Sequence, residues 1–467
     1  MDKMNNKFPL VLILVMQAFF SVNFGIMYFS LFVILQSHFQ LTTYTSYDIV
    51  VVFMLLNGAI HFIATPMGDR QLDYKKMMFF CIFMLAVSNV FMSSQRGFYF
   101  ELGLTLFTVS YGLIVTCVNV LIKNYIDKQG SGDGGAFSGF SFNALSANVG
   151  IFIGTIVATA SNKINIIFSM SFMCNIIALL LFILFSNFLD SGNTRSVKKP
   201  QYFRFILTYM ALLIVTYLCF EHPFIAYISV MIVAFYVVVF IAKSYFELGT
   251  LKQRSDMKLF IYFSFFGVVF WVLYNLIPLL MMHVMKDTSY LNIFNYSIDF
   301  KAQWLGTLNT IIVIVFLFIS SFTVGRLRLN YFKTFLTGYY LTFIAFILLF
   351  LSAQNSLGSY ININYILTYI FVFSLAEVIL QPIGYSFVNK LVPDHYKNYM
   401  LGAVSFSTIG FAPFVSGYLS KVMTPNNDLT QFMQISFFKI AFGSLGLIAA
   451  VCIIVLLLFS SKRGLKV

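Results

Sequence analysis

Fourteen long apolar runs, separated by short polar joints, constrain this 467-residue chain more than any other feature. Crossing about 30 Å of hydrocarbon takes roughly 20 apolar residues in a helix. The runs fall near 8–35, 48–67, 76–92, 99–122, 140–160, 164–188, 202–220 and 223–246, then 258–282, 303–324, 331–353, 364–389, 398–422 and 433–459. The first follows a short basic start (Lys3, Lys7). It is too long for a signal-peptide core and no small-x-small cleavage site follows, so it reads as a retained span. With 60% hydrophobic and only 10% charged residues, a soluble protein of this length could not cover its surface with polar groups. The expected class is therefore an all-α membrane protein whose outer layer faces lipid.

The formal charge of +13 would suit a polyanionic partner, but its placement argues otherwise. With the N-terminus inside, all but six of the 29 lysines and arginines lie on or beside cytoplasmic segments. The exceptions are Arg96, Lys163, Lys286, Lys301, Lys421 and Lys439. That asymmetry is the positive-inside pattern, so the basic balance reports orientation rather than nucleic-acid binding. It predicts a multi-pass protein of the inner (cytoplasmic) membrane with both termini cytoplasmic. The five cysteines (Cys81, Cys117, Cys174, Cys219, Cys452) sit inside expected spans without paired spacing and read as small apolar residues.

Two stretches break the hydrophobic rhythm. KNYIDKQGSGDGGAFSG (123–139) is rich in Gly, Ser and Asp and predicts a flexible cytoplasmic connection. DSGNTRSVKKPQ (190–201) is polar and basic, and two apolar segments linked through His222 and Pro223 follow it. The simplest parse is six spans (1–189), a linker with a two-helix hairpin (190–257) and six spans (258–467). Transporters commonly consist of two such halves with the substrate site near the midplane.

A charge in hydrocarbon costs at least about 2.5–3.5 kcal/mol, so a mid-span carboxylate needs a reason. Of sixteen acidic residues only Glu377 lies near the middle of a span. It reads either as a packing carboxylate satisfied by a neighbouring helix or as a site facing a substrate cavity. A desolvated carboxylate takes a proton more readily, and it can equally neutralise an ammonium group. His61 is the only histidine well inside a span, suited to a proton relay or to a neutral structural role. Trp271 and Asn275 are four apart and share a helix face, and Gln303, Thr307, Asn309 and Thr310 begin the next span. Such groups either line a cavity or glue helices together. There is no HExxH, no paired carboxylates on one helix, no CxxC and no Walker loop. No enzyme, cofactor or metal is expected.

GDRQLDYKK (68–76), with Gly68, Asp69 and Arg70, resembles the Gly-Asp-Arg-basic loop signature of the major facilitator superfamily. Three further stretches resemble the proton-dependent oligopeptide transporters within it. AQWLGTLN (302–309) is similar to that family's Ala-x-Trp-x-x-x-Leu-Asn motif, and AEVILQPIGYSFVNKLVP (376–393) to its Gly-Glu-Leu-x-x-x-Pro-Ile-Gly-x-Ser tenth-helix signature. FSFNALSANVG (140–150) resembles its Phe-Ser-x-Phe-Tyr-x-x-x-Asn-x-Gly fifth-helix start. Bacterial members carry an extra hairpin between the halves, matching 202–246. The resemblance implies a major facilitator fold of two six-helix bundles plus an inserted hairpin. Carried over by position, Glu377 meets the substrate's amino end and Asn309 faces the peptide backbone. Trp271 matches the aromatic position preceding the family's seventh-helix acid.

The departures are equally informative. The first-helix Glu-x-x-Glu-Arg motif falls on Gln17–Ser21, which reads QAFFS. Tyr28, Val115, Asn275 and Ala144 stand at the basic first-helix, fourth-helix lysine, seventh-helix acid and fifth-helix tyrosine positions. The resemblance thus implies a proton-coupled secondary transporter taking up di- or tripeptides or amino-acid-like compounds. Its small-molecule substrate and protons would meet Glu377, Asn309, Asn275, Trp271, Gln17 and His61. Two alternatives remain open: a transporter, or exporter, of a non-peptide solute on the same fold, and a membrane sensor or scaffold without flux.

Overall fold

The computed structural model describes residues 7–94, 96–130, 133–160, 163–189, 201–287, 289–290, 292–293, 296–297, 303–323, 330–356, 361–423 and 430–463. Among them are fourteen helices long and apolar enough to cross a membrane. They are α1 (Phe8–Ser37), α2 (Thr43–Arg70), α3 (Tyr74–Ser93), α4 (Gly97–Lys128), α5 (Asp133–Ala160), α6 (Ile164–Phe185) and α7 (Tyr202–Glu221). After them come α8 (Pro223–Glu247), α9 (Leu251–Asp287), α10 (Gln303–Thr323), α11 (Tyr331–Gln354) and α12 (Ile363–Leu391). The thirteenth, α13, comprises Lys397–Ser405, a π-helical turn Phe406–Phe411 and Ala412–Val422; α14 is Gln431–Arg463. Four two-residue strand pieces form two small pairs beside α9 and α12. The linker at 190–200, and Lys3, Arg195, Lys198, Lys199, Lys301, Arg326, Arg328 and Lys466, lie outside the described residues.

The apolar runs locate every span, and the helices overrun them where polar residues still favour helix. The stretch expected as a loop at 123–139 is mostly helical. α4 runs to Lys128, supported by the i,i+4 pair Lys123–Asp127 at 3.5 Å, and α5 starts at Asp133. Gly130, at φ +60°, makes the turn that a side chain would strain. Likewise Gly68–Arg70 form the last turn of α2, not a loop; only Gln71–Asp73 are non-helical before α3. Caps set the ends: the Thr42 hydroxyl accepts from the Thr45 N–H, Asp73 from Lys75 and Asn330 from Lys333. Pro223 opens α8 in the first turn, where its missing N–H costs nothing.

The contacts group the chain into two compact units. One takes in Met1–Tyr262 with Tyr385–Phe411; the other takes in Phe263–Gly384 with Ala412–Val467. In the first, buried polar groups join α1, α3 and α6. Asn23 donates to Asn175 Oδ1 at 3.0 Å and accepts from Asn175 at 3.2 Å, from Asn89 at 3.4 Å and from the Ser171 hydroxyl. In hydrocarbon such amides have no water to turn to, so they hold helices together. The hairpin is part of this unit: Phe80 meets Phe205 and Tyr209 edge-on, and the Tyr209 hydroxyl meets Ser110 Oγ at 2.7 Å. On α8, Phe240 packs on Phe62 and stacks on Tyr399 at 4.8 Å. Here α2 and α13 touch backbone to backbone, for a Cβ on Gly58 would stand 2.2 Å from Gly410 Cα. In the second unit Tyr339 of α11 is fully buried and its hydroxyl donates to the Phe266 carbonyl of α9. All five cysteines are free thiols, four of them buried.

Candidate functional site

Glu377 sits on α12 in the second unit and is 4% exposed. Asn309, 68 residues earlier on α10, donates through Nδ2 to Glu377 Oε2 at 3.2 Å and to the Tyr274 hydroxyl at 3.2 Å. Tyr274, on α9, also hydrogen-bonds Glu377. Ser374, one turn before Glu377, donates to Asn309 Oδ1 at 2.6 Å and so fixes which way that amide faces. Two neighbouring helices therefore aim neutral donors at one carboxylate, and Ser374 on the acid's own helix braces one of them. Among the described residues no ion pair involves Glu377.

An aromatic wall flanks this cluster. Tyr274 stacks on Phe373 with centroids 5.7 Å apart and rings 13° from parallel. Trp271 meets Tyr274 edge-on at 5.0 Å, and Tyr369 stacks on Phe373 at 5.3 Å. Trp271, Tyr274, Asn275 and Asn309 are half-buried around the buried acid. The structure thus brings Glu377 and Asn309 together, with Trp271 one ring removed against Tyr274. Asn275 lies beside them but donates to its own helix, at the Trp271 carbonyl, 2.7 Å away. Sequence reasoning missed Tyr274 and Ser374. The signal was there, since Ser374 lies one turn from Glu377 and Tyr274 one turn from Trp271.

Gln17 and His61 belong to the other unit. Gln17 is buried on α1, with its amide donating to Ser21 Oγ at 3.2 Å and its carbonyl oxygen without a partner. His61 is fully buried on α2 and neither ring nitrogen has a hydrogen-bond partner. Its backbone carbonyl accepts from Thr116 of α4 at 2.9 Å. A histidine held only to satisfy packing would normally have a partner at one nitrogen at least, because an orphan polar atom in a low-dielectric interior is costly.

The Gly68-Asp69-Arg70 turn sits in a web of polar contacts. The Tyr74 ring lies on Gly68, where a Cβ would stand 2.2 Å from Tyr74 Cε1. Asp69 Oδ1 accepts from the Tyr74 hydroxyl and from Asn398 Nδ2, each at 2.9 Å. Asn398 Oδ1 in turn accepts from Lys123 Nζ at 3.2 Å. Lys397 pairs with Asp394 at 2.7 Å and with Asp127 at 3.9 Å. The ends of α2 and α4 and the start of α13 are thereby tied into one polar network. A neutral counterpart lies further along α13, where Asn143 donates to Asn119 Oδ1 at 2.9 Å and Asn119 to Ser405 Oγ at 3.3 Å. The Tyr385 hydroxyl meets the same Ser405 Oγ at 3.2 Å.

The family model described as Major Facilitator Superfamily matches residues 11–417. The chain belongs to the major facilitator superfamily. It is thus a multi-pass membrane protein of a transporter superfamily, not an enzyme. This major facilitator protein is 22% identical over 440 residues to the dipeptide and tripeptide permease A of Salmonella typhimurium, covering 91% of this chain and 84% of the permease. The same identity holds over 438 residues to the permease A of Serratia proteamaculans. Among solved structures, a bacterial homologue of the human drug peptide transporters PepT1 and PepT2 superposes with a TM-score of 0.72 at 15% identity, covering 99% of this chain and all of that one. A peptide transporter POT in complex with sulfate gives 0.71 at 16% identity, covering 97% and 94%. These likenesses fix the fold as that of the major facilitator transporters.

Proposed function

We propose that this protein is a proton-coupled secondary transporter taking up short peptides or amino-acid-like compounds by alternating access, its binding residues facing one side of the membrane at a time. The observation that carries the reading is the buried Glu377 carboxylate, held by Asn309 and Tyr274 with no counter-charge from the described residues. Such a group is kept at a cost and completed by a ligand that brings a positive end. The likeness to dipeptide and tripeptide permeases over about nine-tenths of the chain supports the cargo class. Trp271, Asn275 and Asn309 line the approach to Glu377, and Gln17, with its unpartnered carbonyl, is a separate candidate in the first unit. Glu377 takes the coupling proton or the substrate's amine, and His61, the one histidine well inside a span, is the further candidate for a proton relay.

The halves that work against each other are 1–189 and 258–467, with 190–257 as the inserted linker and hairpin. The lysine and arginine asymmetry supports an inner-membrane location with both termini cytoplasmic. The test is uptake of a labelled dipeptide into proteoliposomes with and without an inward proton gradient. Gradient-driven uptake by wild type, lost in Glu377→Gln, is the expected result. A wild type that moves no dipeptide under any gradient refutes the cargo class. That outcome favours the rival reading of a non-peptide solute or export, which rests on the uncharged Gln17–Ser21, Tyr28 and Val115 positions.

A further inference from the structure

Every side chain bonded around Glu377 is a neutral donor. Asn309 spends its amide on Glu377 and Tyr274, and Ser374 spends its hydroxyl on Asn309. The cluster therefore offers one negative charge and no positive one. The second unit has two lysines whose side chains are described. Lys333 stands at the start of α11, and Lys439 lies over the Phe350 ring at 5.9 Å. Across all described residues the buried cations are Lys123 and Lys397, and both are committed to aspartates: Lys123 to Asp127, Lys397 to Asp394 and Asp127. The rings beside Glu377 have the same preference. The half-buried rings of Trp271 and Tyr274, backed by the buried Phe373 and Tyr369, face this place, and π faces attract cations and repel anions.

A dipeptide with two free ends would bring both an ammonium and a carboxylate to this place. The ammonium finds Glu377 and the aromatic wall. The carboxylate finds a like charge nearby and, among the described residues, no free buried base to offset its lost hydration. Resting on the reading of Glu377 as the substrate site, we infer that this transporter prefers, over free peptides, solutes that carry an ammonium or guanidinium group and have no free carboxylate. Amidated or esterified peptides and compact amines are of that class. The aromatic surface gives them a face to stack on, and Asn309 Oδ1 and the Tyr274 hydroxyl suit an amide N–H.

The test compares ligands on the wild-type protein, so it does not depend on a variant that folds. Binding to the purified protein in lipid nanodiscs is measured near neutral pH for alanyl-alanine amide, free alanyl-alanine and N-acetyl-alanyl-alanine. The amide should bind at least about 30-fold more tightly than the free dipeptide, the lower end of what one unpaired buried charge costs. The N-acetyl acid should not bind. Glu377→Gln should abolish the preference, and Glu377→Asp, which keeps the charge, should retain it. Equal or tighter binding of the free dipeptide overturns this inference while leaving peptide transport standing. Failure of both amine ligands, or binding of the N-acetyl acid in their place, overturns the inference together with the role of Glu377 on which it rests.

Discussion

Gly58→Ala should push this protein out of the conformation described above. A Cβ on Gly58 would lie 2.2 Å from both Gly410 Cα and Gly410 N, and 2.7 Å from the Ile409 carbonyl carbon. All three are main-chain atoms, so no side chain can swing aside. Ordinary contact begins near 3.4 Å, which obliges α2 and α13 to separate by more than an ångström. Two neighbours feel that shift. The Asn119–Ser405 bond is already 3.3 Å long, and Gly402 packs on Thr65 so closely that its own Cβ would stand 2.6 Å from Thr65 Oγ1. Overpacking of this kind costs about 1–3 kcal/mol. Alanine's better helix propensity returns up to about 1 kcal/mol, and it does so in every conformation of the helix. The conformation in which α2 and α13 touch should therefore lose about 2 kcal/mol relative to one in which they are apart, roughly a 30-fold shift in population. The assay is the labelling rate of Ser405→Cys by a water-soluble thiol reagent, with and without Gly58→Ala. The five native cysteines are replaced by serine or alanine in both proteins. Labelling should accelerate by at least tenfold. An unchanged rate together with unchanged thermal stability would refute the argument, because it would mean the two backbones are not in contact.

Other perturbations test the remaining links. Asn398→Ala takes from Lys123 one of its two amide acceptors and leaves Asp69 with Tyr74 alone, and should cost about 1–3 kcal/mol, seen as a lower thermal midpoint. His61→Gln should keep substrate binding and counterflow but lose the stimulation of uptake by an inward proton gradient; retained stimulation would remove His61 from the coupling. Asn309→Ala should raise the apparent KM tenfold or more, since it withdraws a donor from Glu377 and unseats Ser374, whereas Asn275→Ala should change it little. Tyr396, in the turn between α12 and α13, donates to Glu247 Oε2 at 2.5 Å, and burial together with that carboxylate pushes its phenol up to about 12. A raised folded-state value means the contribution is full below the ordinary tyrosine value near 10 and is lost as pH rises through about 12. The stability gap between wild type and Tyr396→Phe should accordingly close over that window, as alkaline thermal melts would show.

The sequence by itself determined what the bilayer dictates. Hydrophobic burial in lipid is read residue by residue along a helix, so the apolar runs marked all fourteen spans and the polar joints marked their order. The same local logic singled out Glu377, because a carboxylate in mid-span is expensive whatever surrounds it. The expected loop at 123–139 failed for a local reason as well: Lys123, Asp127 and Asp133 continue or begin helices as readily as they make a loop, and among the described residues of the joint it is Gly130 that takes a turn conformation. What the tertiary structure alone decided is which groups meet. Asn309 reaches Glu377 across 68 residues, Asn398 reaches Asp69 across 329, and Ser405 meets Asn119 across 286. Asn275 and Asn309 looked alike as cavity amides, yet one turns back to its own helix and the other completes the acid. Hydrogen bonds are short-ranged and directional. They depend on how helices rotate and cross, and no periodicity along one helix records the face its distant neighbour presents.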